Sequence, residues 1–312
     1  MAVSVEEVDA RTAPDETLLA FHELDLACLR ETSGDEPGRS AAEAIAYYRF
    51  QPAGRTSCHW LAGGGSAALY VHGPRAAFVH LRVHPDARRR GIGTALLETV
   101  LGRCRELGVR ALHGHHTSPA GAAFAARAGA SDGQRVVHSL LGLPAAELPE
   151  PSPPAGWRLA TWLGRVPGEH LAAFVRARAA MDDAPASDGV ELPVWTAEDV
   201  RASEESLAAR QREMRLTVAL DSAGEVGAFT ELRHSAGSTL GFTDDTGTVA
   251  AHRGRGLARA VKLESLRRLR ADHPEVEVVT TANAEENTAM RRLNESLGFR
   301  PTIVLTTATL LL

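Results

Sequence analysis

Two short segments rich in arginine and glycine have the residue types that bind a phosphate group. They read RRRGIGTAL at residues 88–96 and RGRGLARAV at residues 253–261. Each leads into sequence with the apolar spacing of a helix, so the turn leaves unpaired N–H groups beside the positive end of the helix dipole. These groups stabilise a phosphate or pyrophosphate, small residues keep the approach to the backbone open, and the arginines add charge-assisted contacts.

The same pattern is also typical of a solvated turn before an amphipathic helix, and one copy does not decide between the two. Other phosphate-binding motifs fit less well. A dinucleotide-binding motif needs a third glycine where Leu96 and Arg259 stand. A P-loop needs a Gly-Lys pair, which the sequence lacks.

The two segments belong to an internal repeat. Arginine and small residues recur at an offset of 165, so that Arg88, Gly91 and Gly93 match Arg253, Gly256 and Ala258. Further along, AARAGA ending at residue 130 matches NESLGF ending at residue 299, at an offset of 169. Two matches in the same order indicate the duplication of one domain.

Both halves show the same predicted order of elements, in which short strands precede the glycine turn and a helix follows it. Residues 143–156 lie between the halves and contain five prolines without apolar periodicity. Such a stretch favours an extended chain. We therefore expect an N-terminal domain at 1–143, a proline-rich linker at 144–156 and a C-terminal domain at 157–312.

Composition excludes several classes of protein. The chain has 312 residues, enough for two domains of roughly 150 residues, and a formal net charge of -5, which argues against a nucleic-acid partner. No run approaches the ~20 apolar residues of a membrane span. The three cysteines are widely spaced and lack a zinc-site pattern. We expect free thiols, a cytoplasmic location and no metal; HGHH at 113–116 is interpreted as a surface histidine cluster.

The order strand, ARRRGIGTALL, helix, and again strand, HRGRGLARAVK, helix, resembles the acyl-CoA signature Q/R-x-x-G-x-G/A of the GNAT superfamily of N-acetyltransferases. NAEENTAMRRLNESLGF at 283–299 is similar to a later motif of that family, an Asn followed by a helix ending in Gly-Phe. The two-domain plan resembles actinobacterial tandem members, including mycothiol synthase. The resemblance implies an α/β (α+β) fold of two tandem GNAT-like domains, each a mixed central sheet flanked by helices. It also implies that the first domain is degenerate and the second active.

The resemblance implies acetyl-CoA as co-substrate and a direct attack by a primary amine in a ternary complex. The residues that match the CoA-binding pattern are Val249, Arg253, Gly254, Arg255, Gly256, Leu257, Ala258 and Asn287 in the second half, and Val83, Arg88, Gly91, Ile92 and Gly93 in the first. A backbone N–H near Val249 is expected to polarise the thioester carbonyl. The first copy is expected to hold CoA or to be purely structural, and not to transfer the acetyl group.

A carboxylate near the strand end would accept the proton of the amine. Asp244 and Asp245 precede the second glycine turn, and because neighbours on a strand point to opposite faces, only one of them is expected to face the cleft. Asp245 is preferred, since its Asp-Thr pair matches the tandem relatives; both aspartates can also be surface groups. Asn294 stands where many members of the family carry a tyrosine that acts as general acid.

Three functions remain open at this point. The first is an N-acetyltransferase acting on an unidentified small-molecule amine. The second is a non-catalytic protein that binds or senses acyl-CoA, which the missing tyrosine and the degenerate first half favour. The third is an acetyltransferase for a mycothiol precursor or an aminoglycoside-type amine. The protein is expected to be a monomer or a homodimer, without nucleic-acid or membrane partners.

Overall fold

The computed structural model of the protein describes residues 3–33, 37–50, 56–71, 76–181 and 195–312. The chain forms two compact units. Unit 1 comprises Met1–Val136 together with Ile303–Leu312, and unit 2 comprises Val137–Thr302. The mixed α/β class and the tandem arrangement are as the sequence predicted. In the part of the chain that is described, no helix combines the length and the apolar character that a membrane span requires.

Unit 1 has a mixed sheet with the strand order β1-β2-β3-β4-β5-β12-β6. Its strands and helices are β1 Val5–Val8, α1 Asp15–Ser33, α2 Ala41–Arg49, β2 Thr56–Ala62, β3 Gly65–Val71, β4 Ala76–Val83, α3 Ile92–Glu106, β5 Ala111–His116, α4 Pro119–Arg127, β6 Ser131–Gly142 and β12 Arg300–Leu311. Strand β4 is parallel to β5 and antiparallel to β3. Apolar side chains of α3, such as Leu96 and Val100, are fully buried against the sheet.

Unit 2 has a mixed sheet with the strand order β6-β11-β10-β9-β8-β7. Its further strands and helices are β7 Arg158–Leu163, α5 Gly168–Arg178, α6 Ala197–Ala209, β8 Arg212–Leu220, β9 Val226–Ser235, β10 Leu240–Thr248, α7 Leu257–Asp272, β11 Val278–Ala284 and α8 Thr288–Ser296. Phe229 on β9 packs against α5, whereas its neighbour Ala228 packs against α7. Alternating residues of β9 thus build the core on both faces of the sheet.

The units divide the chain differently from the predicted bounds. The last strand, β12, pairs antiparallel with β5 in unit 1, from Thr306 opposite His116 to Leu311 opposite Ala111. Strand β6 begins in unit 1, and its residues 137–142 belong to unit 2, beside β11. Unit 1 therefore contains most of a strand from the C-terminal half of the chain, β12. Unit 2 contains the end of a strand from the N-terminal half, β6.

The proline-rich segment after β6 is part of the core of unit 2. The side chains of Leu143 and Leu148 are buried against α7 and β11. Two arginines of α7 hold the backbone of the segment, because Arg267 donates to the carbonyl oxygen of Leu148 at 2.8 Å and Arg270 to that of Ala146 at 2.8 Å. The part of the predicted linker nearest to β6 is thus anchored to the helix that follows the second glycine turn.

Candidate active site in unit 2

Strands β10 and β11 separate partway along their length. They pair in parallel only from Leu240 opposite Val278 to Thr243 opposite Thr281. Beyond Thr243, β10 continues alongside β9 as far as Thr248. The edge of β10 that faces β11 therefore carries backbone groups outside the ladder, and a ligand with hydrogen-bonding groups can pair with them.

The amide of Val249, near which a carbonyl-polarising N–H was expected, takes part in the pairing of β10 with β9. It donates to the carbonyl oxygen of Gly227 on β9 at 2.9 Å. Because successive residues of an antiparallel strand point their backbone groups to opposite sides, the amides of Thr246 and Thr248 point away from β9. The carbonyl oxygen of Thr248 confirms this direction, since it accepts a hydrogen bond from Nε of Arg253 at 3.2 Å. The N–H groups near Val249 that face the opening are therefore those of Thr246 and Thr248.

The second glycine turn has the geometry of an anion cradle. Residues 250–252 form a single 3-10 turn, Gly254 and Gly256 have φ angles of 74° and 83°, and α7 begins at Leu257. None of the described side chains caps the N-terminus of α7. A Cβ added at either glycine would meet no described atom within 4 Å, so the space over the turn is open. The sequence therefore placed Arg253 to Ala258 correctly at the junction of a turn and a helix.

The first glycine turn repeats this backbone pattern at an offset of 165. The amide of His84 donates to Gly64 at 2.8 Å, as Val249 does to Gly227, and Nε of Arg88 donates to the carbonyl oxygen of Val83 at 3.3 Å. Gly91 caps α3 with a φ of 82°. The duplication predicted from the sequence thus extends to individual hydrogen bonds.

The first turn also differs from the second in two respects. Arg89, with a φ of 63°, occupies the left-handed position that Gly254 fills in the second copy, so the first turn carries backbone strain that glycine avoids. The guanidinium of Arg88 forms a double ion pair with Glu31 at the end of α1, with distances of 2.7 and 2.5 Å. The remaining predicted residues of this copy, Ile92 and Gly93, start α3, and Gly93 is packed against the ring of Phe124.

A β-bulge in β10 carries the two aspartates. Thr243 lies opposite Leu232, and Thr246 lies opposite Thr230, so Asp244 and Asp245 together face the single residue between them on β9. That residue is Glu231. A bulge interrupts the alternation of side chains. Both aspartates reach arginines of the same cluster, so the alternation from which one cleft-facing aspartate was expected does not hold at the bulge.

The cluster is built around two buried, oppositely charged residues, Arg178 and Glu231. Arg178 ends α5 and forms ion pairs with Glu231 and, at 2.6 Å, with Asp245. Its guanidinium also lies 3.8 Å from the ring centre of Trp195. Arg233 pairs with Asp244 on the other side of Glu231, from which it lies 3.6 Å away. We call these five charged residues the carboxylate cluster: Arg178, Glu231, Arg233, Asp244 and Asp245.

Burial gives one carboxyl of the cluster a near-neutral pKa. The side chain of Glu231 is 6% exposed, and desolvation raises its pKa to about 7 against the opposing effect of Arg178. The pKa of Asp244 is also raised, chiefly by burial, while Arg233 lowers it. A carboxyl that titrates near neutral pH is suited to accept a proton in a general-base step. Sequence reasoning missed Glu231; the available signal was a single acidic residue inside the apolar strand VGAFTELRHS.

The two predicted asparagines have structural contacts. Asn287 caps α8, because its Oδ1 accepts a hydrogen bond from the amide of Met290 at 3.2 Å. Asn294, at the position of the family tyrosine, is buried and donates from Nδ2 to Oδ1 of Asn283 at 2.7 Å, while its own Oδ1 has no partner among the described residues. Both asparagines therefore hold the end of β11 and the start of α8 in place.

Among the described residues, unit 1 has no acidic side chain at the two strand positions that match Glu231 and Asp245. By the strand registers, Ala68 on β3 stands where Glu231 stands, and His80 on β4 corresponds to Asp245 at the offset of 165. The pKa of His80 is well below its ordinary value, mainly because the ring is buried. The helix cap of the later motif is kept, since Ser118 accepts a hydrogen bond from the amide of Gly121 at 3.2 Å. Unit 1 thus keeps the glycine turn and the helix cap, without the acidic residues that β9 and β10 carry in unit 2.

The segment MDDAP, which follows α5, lies mostly outside the described residues. Of the segment MDDAP at 181–185, only Met181 is described, and its sulfur lies beside Gly247 on β10. Met181 and Trp195 are partly buried against the core formed by α5, α6 and β9. They border the carboxylate cluster from the side of α5.

Comparisons with known proteins agree on one family. The Acetyltransferase (GNAT) family model matches residues 17–130, which lie in the half that the sequence analysis interpreted as degenerate. A mycothiol acetyltransferase from Thermobispora bispora is 31% identical over 299 residues, covering 87% of this chain and 94% of the relative. A mycothiol acetyltransferase from Salinispora arenicola is 29% identical over 95% of both chains.

A solved structure has the same two-domain fold. A tandem GNAT protein from the clavulanic acid biosynthesis pathway superposes with a TM-score of 0.83 at 27% identity, covering 99% of this chain and 98% of that one. A GCN5-related N-acetyltransferase from Sphaerobacter thermophilus superposes with a TM-score of 0.75 at 19% identity, which supports the fold alone.

Proposed function

Because this chain belongs to the GNAT family of acetyltransferases, we propose that unit 2 transfers an acetyl group from acetyl-CoA to a primary amine of a small molecule. The amine attacks directly within a ternary complex. The observation that carries the proposal is the buried Glu231 beside the point where β10 leaves β11. An N-acetyltransferase needs a proton acceptor at this place, and the matching strand position in unit 1 is Ala68.

The second glycine turn fits the pyrophosphate of acetyl-CoA. The amides at the start of α7 lack a side-chain cap among the described residues, and the glycines leave the approach open. Arg253 and Arg255 add positive charge at the turn. We therefore assign the pyrophosphate to residues 253–258, with Gly256 at the start of the helix.

The N–H groups of Thr246 and Thr248 would orient the thioester. They lie on the edge of β10 that faces the opening between the strands, and they are fixed by the pairing of β10 with β9. Amides held in place before the reaction stabilise charge that develops on a carbonyl oxygen without further reorganisation. Acetyl-CoA supplies the activated acetyl group, and the two threonine amides polarise its carbonyl.

Glu231 would receive the proton of the amine, directly or through a water molecule. An alkylamine has a pKa of about 10 and arrives protonated, whereas only the neutral amine attacks. Arg178 holds Glu231 and Asp245 together, so the two carboxylates share the positive charge of one guanidinium. Asp245, 33% exposed, can pass the proton from the buried Glu231 towards solvent.

The departing thiolate needs no general acid from the position of Asn294. A thiol with a pKa near 8.5 is a fair leaving group at neutral pH. Asn294 cannot donate a proton as a tyrosine would. Its role is to position Asn283 on β11 through the 2.7 Å hydrogen bond.

We assign the acceptor to the class of mycothiol precursor amines. The support is the similarity to mycothiol acetyltransferases over nearly the full length of both chains. In this proposal unit 1 holds acetyl-CoA or has a structural role, and the chemistry takes place in unit 2.

A thiol-release screen with acetyl-CoA tests the proposal. The panel contains desacetyl mycothiol, amino sugars, aminoglycosides and peptide amines, and the wild-type chain is compared with Glu231→Gln. Turnover of desacetyl mycothiol that the variant loses supports the assignment, whereas turnover of only another amine class contradicts the choice of acceptor. Tight acetyl-CoA binding without thiol release for any amine contradicts it and favours an acyl-CoA sensor instead.

A further inference from the structure

Three potential metal ligands meet in unit 2, near the C-terminal end of α7. They are His234 at the end of β9, His273 directly after α7, and Glu275 in the segment before β11. One ligand atom from each residue lies within 4.8 Å of the other two. No other group of three such residues occurs in the ranges that the structure describes.

The hydrogen bonds of His234 leave one ring nitrogen with a free lone pair. Its side chain is buried, with 3% exposure, and Nε2 lies 3.0 Å from the carbonyl oxygen of Ser238. A carbonyl oxygen only accepts, so Nε2 carries the proton and Nδ1 does not. Nδ1 is buried and has no hydrogen-bond partner among the described atoms. A buried acceptor without a partner is costly, and metal coordination would satisfy it.

His273 shows the complementary arrangement. Its Nδ1 lies 3.2 Å from Oε1 of Glu275, and its Nε2 lies 3.3 Å from Oε1 of Glu213 on β8. The rings of His234 and His273 are 4.4 Å apart at their centres. Histidines that bind metals commonly donate their second ring N–H to a carboxylate or a backbone carbonyl. Both histidines have such a partner here, Glu213 for one and Ser238 for the other.

We propose that His234, His273 and Glu275 bind a zinc ion. Two imidazoles and one carboxylate form a ligand set typical of Zn²⁺, with a water molecule as fourth ligand. Tetrahedral coordination at about 2.0–2.1 Å places ligand atoms about 3.3 Å apart. The observed 3.2 Å between His273 and Glu275 already matches this spacing. The side chains of His273 and Glu275 are 22% and 41% exposed, which leaves a path for the ion from solvent.

The ion would cross-link three segments of unit 2. Helix α7 has 16 residues and is about 24 Å long, and the glycine turn lies at its other end. The three ligands connect the end of α7 with β9 and with the segment that leads into β11. Zinc bound there would hold the C-terminal end of the helix against the sheet.

Titration of the chelator-treated full chain with zinc chloride, followed by calorimetry, tests the site. We expect one ion per chain, a higher melting temperature with zinc, and the visible absorption of tetrahedral Co²⁺ when cobalt replaces zinc. Glu275→Gln and His273→Gln change exposed or half-exposed side chains and are expected to weaken zinc binding at least tenfold. Glu213→Gln is expected to weaken it about tenfold by removing the partner of His273.

Two controls make the result decisive. His170→Gln alters a histidine of the same unit that stacks on Trp162, away from the group, and should leave binding unchanged. A variant with His113, His115 and His116 replaced by glutamine removes the other histidine-rich segment. The proposal is overturned when the wild type takes up no zinc, or when only the 113–116 variant loses it. Circular dichroism of each variant confirms the fold.

Discussion

Replacing Glu231 by glutamine removes the proposed proton acceptor while keeping an oxygen that Arg178 can bind. Asp245 still pairs with Arg178 at 2.6 Å, so the buried guanidinium keeps a negative partner. The variant should therefore fold. A positioned general base contributes about 10²–10⁴ to a rate. We expect kcat for the amine acceptor to fall by that factor, which corresponds to about 3–5 kcal/mol of activation free energy.

The raised pKa of Glu231 also predicts two pH dependences. The base acts in its ionised form, so kcat of the wild type should rise through pH 7 and level off, and this limb should be absent in the variant. For stability the direction is the reverse. A carboxyl with a pKa of about 7 when folded and an ordinary pKa of 4.5 takes up its proton more readily in the folded state. Stability should fall between pH 4.5 and 7, by about 3 kcal/mol in the wild type and less in Glu231→Gln.

Initial rates of thiol release from acetyl-CoA between pH 5.5 and 9, together with urea unfolding at each pH, measure both effects. Glu225→Gln is the matched control, because Glu225 pairs with Arg176 at the surface and is 52% exposed. The control should keep the rate and the pH profile of the wild type. The reasoning about Glu231 is refuted if the variant retains more than a third of kcat at every pH, or if its profile still rises through pH 7.

Three further changes test the fold and the cradle. Gly256→Val should weaken acetyl-CoA binding at least tenfold in calorimetry; Gly237→Val, also at a φ above 70° in open space, should show the same backbone strain and normal binding. Leu148→Ala should lower the free energy of unfolding by about 2–5 kcal/mol because Leu148 is buried, whereas Leu163→Ala at an exposed site should change it by less than about 0.5 kcal/mol. Asn294→Ala should lower the free energy of unfolding in urea by about 1–3 kcal/mol, because the side-chain oxygen of Asn283 loses its donor. The same variant should leave the pH profile of kcat unchanged.

The glycine turns and the repeat were predictable because both depend on local chemistry. Glycine at residue 256 permits the left-handed backbone from which α7 starts, and the apolar spacing after it determines the helix. The same argument holds at Gly91. Residues at the same spacing occupy the same places in both turns, so the donor residues of matching hydrogen bonds are also 165 positions apart.

The details of the site that the sequence did not predict depend on the geometry of β10. The bulge between Thr243 and Thr246 brings Asp244 and Asp245 to one cluster, and no local signal in the sequence marks an extra residue in a strand. The sequence indicated an N–H near Val249 without the exact residue, because the direction of an amide depends on which partner residue it faces on β9. The bulge and the direction of the amides are both set by the register of β10 with β9.

The sequence by itself determined the family, the duplication and the two cradles, because each depends on residue types at short, fixed spacing. Only the tertiary structure brought the carboxylate cluster together, since Arg178 and Glu231 are 53 residues apart and meet through the packing of α5 on β9. It also decided where β6 and β12 pair. Their apolar patterns suit either of two similar sheets, and the choice depends on contacts with residues far away in the chain, such as Leu141 with α7 and Thr309 with His113.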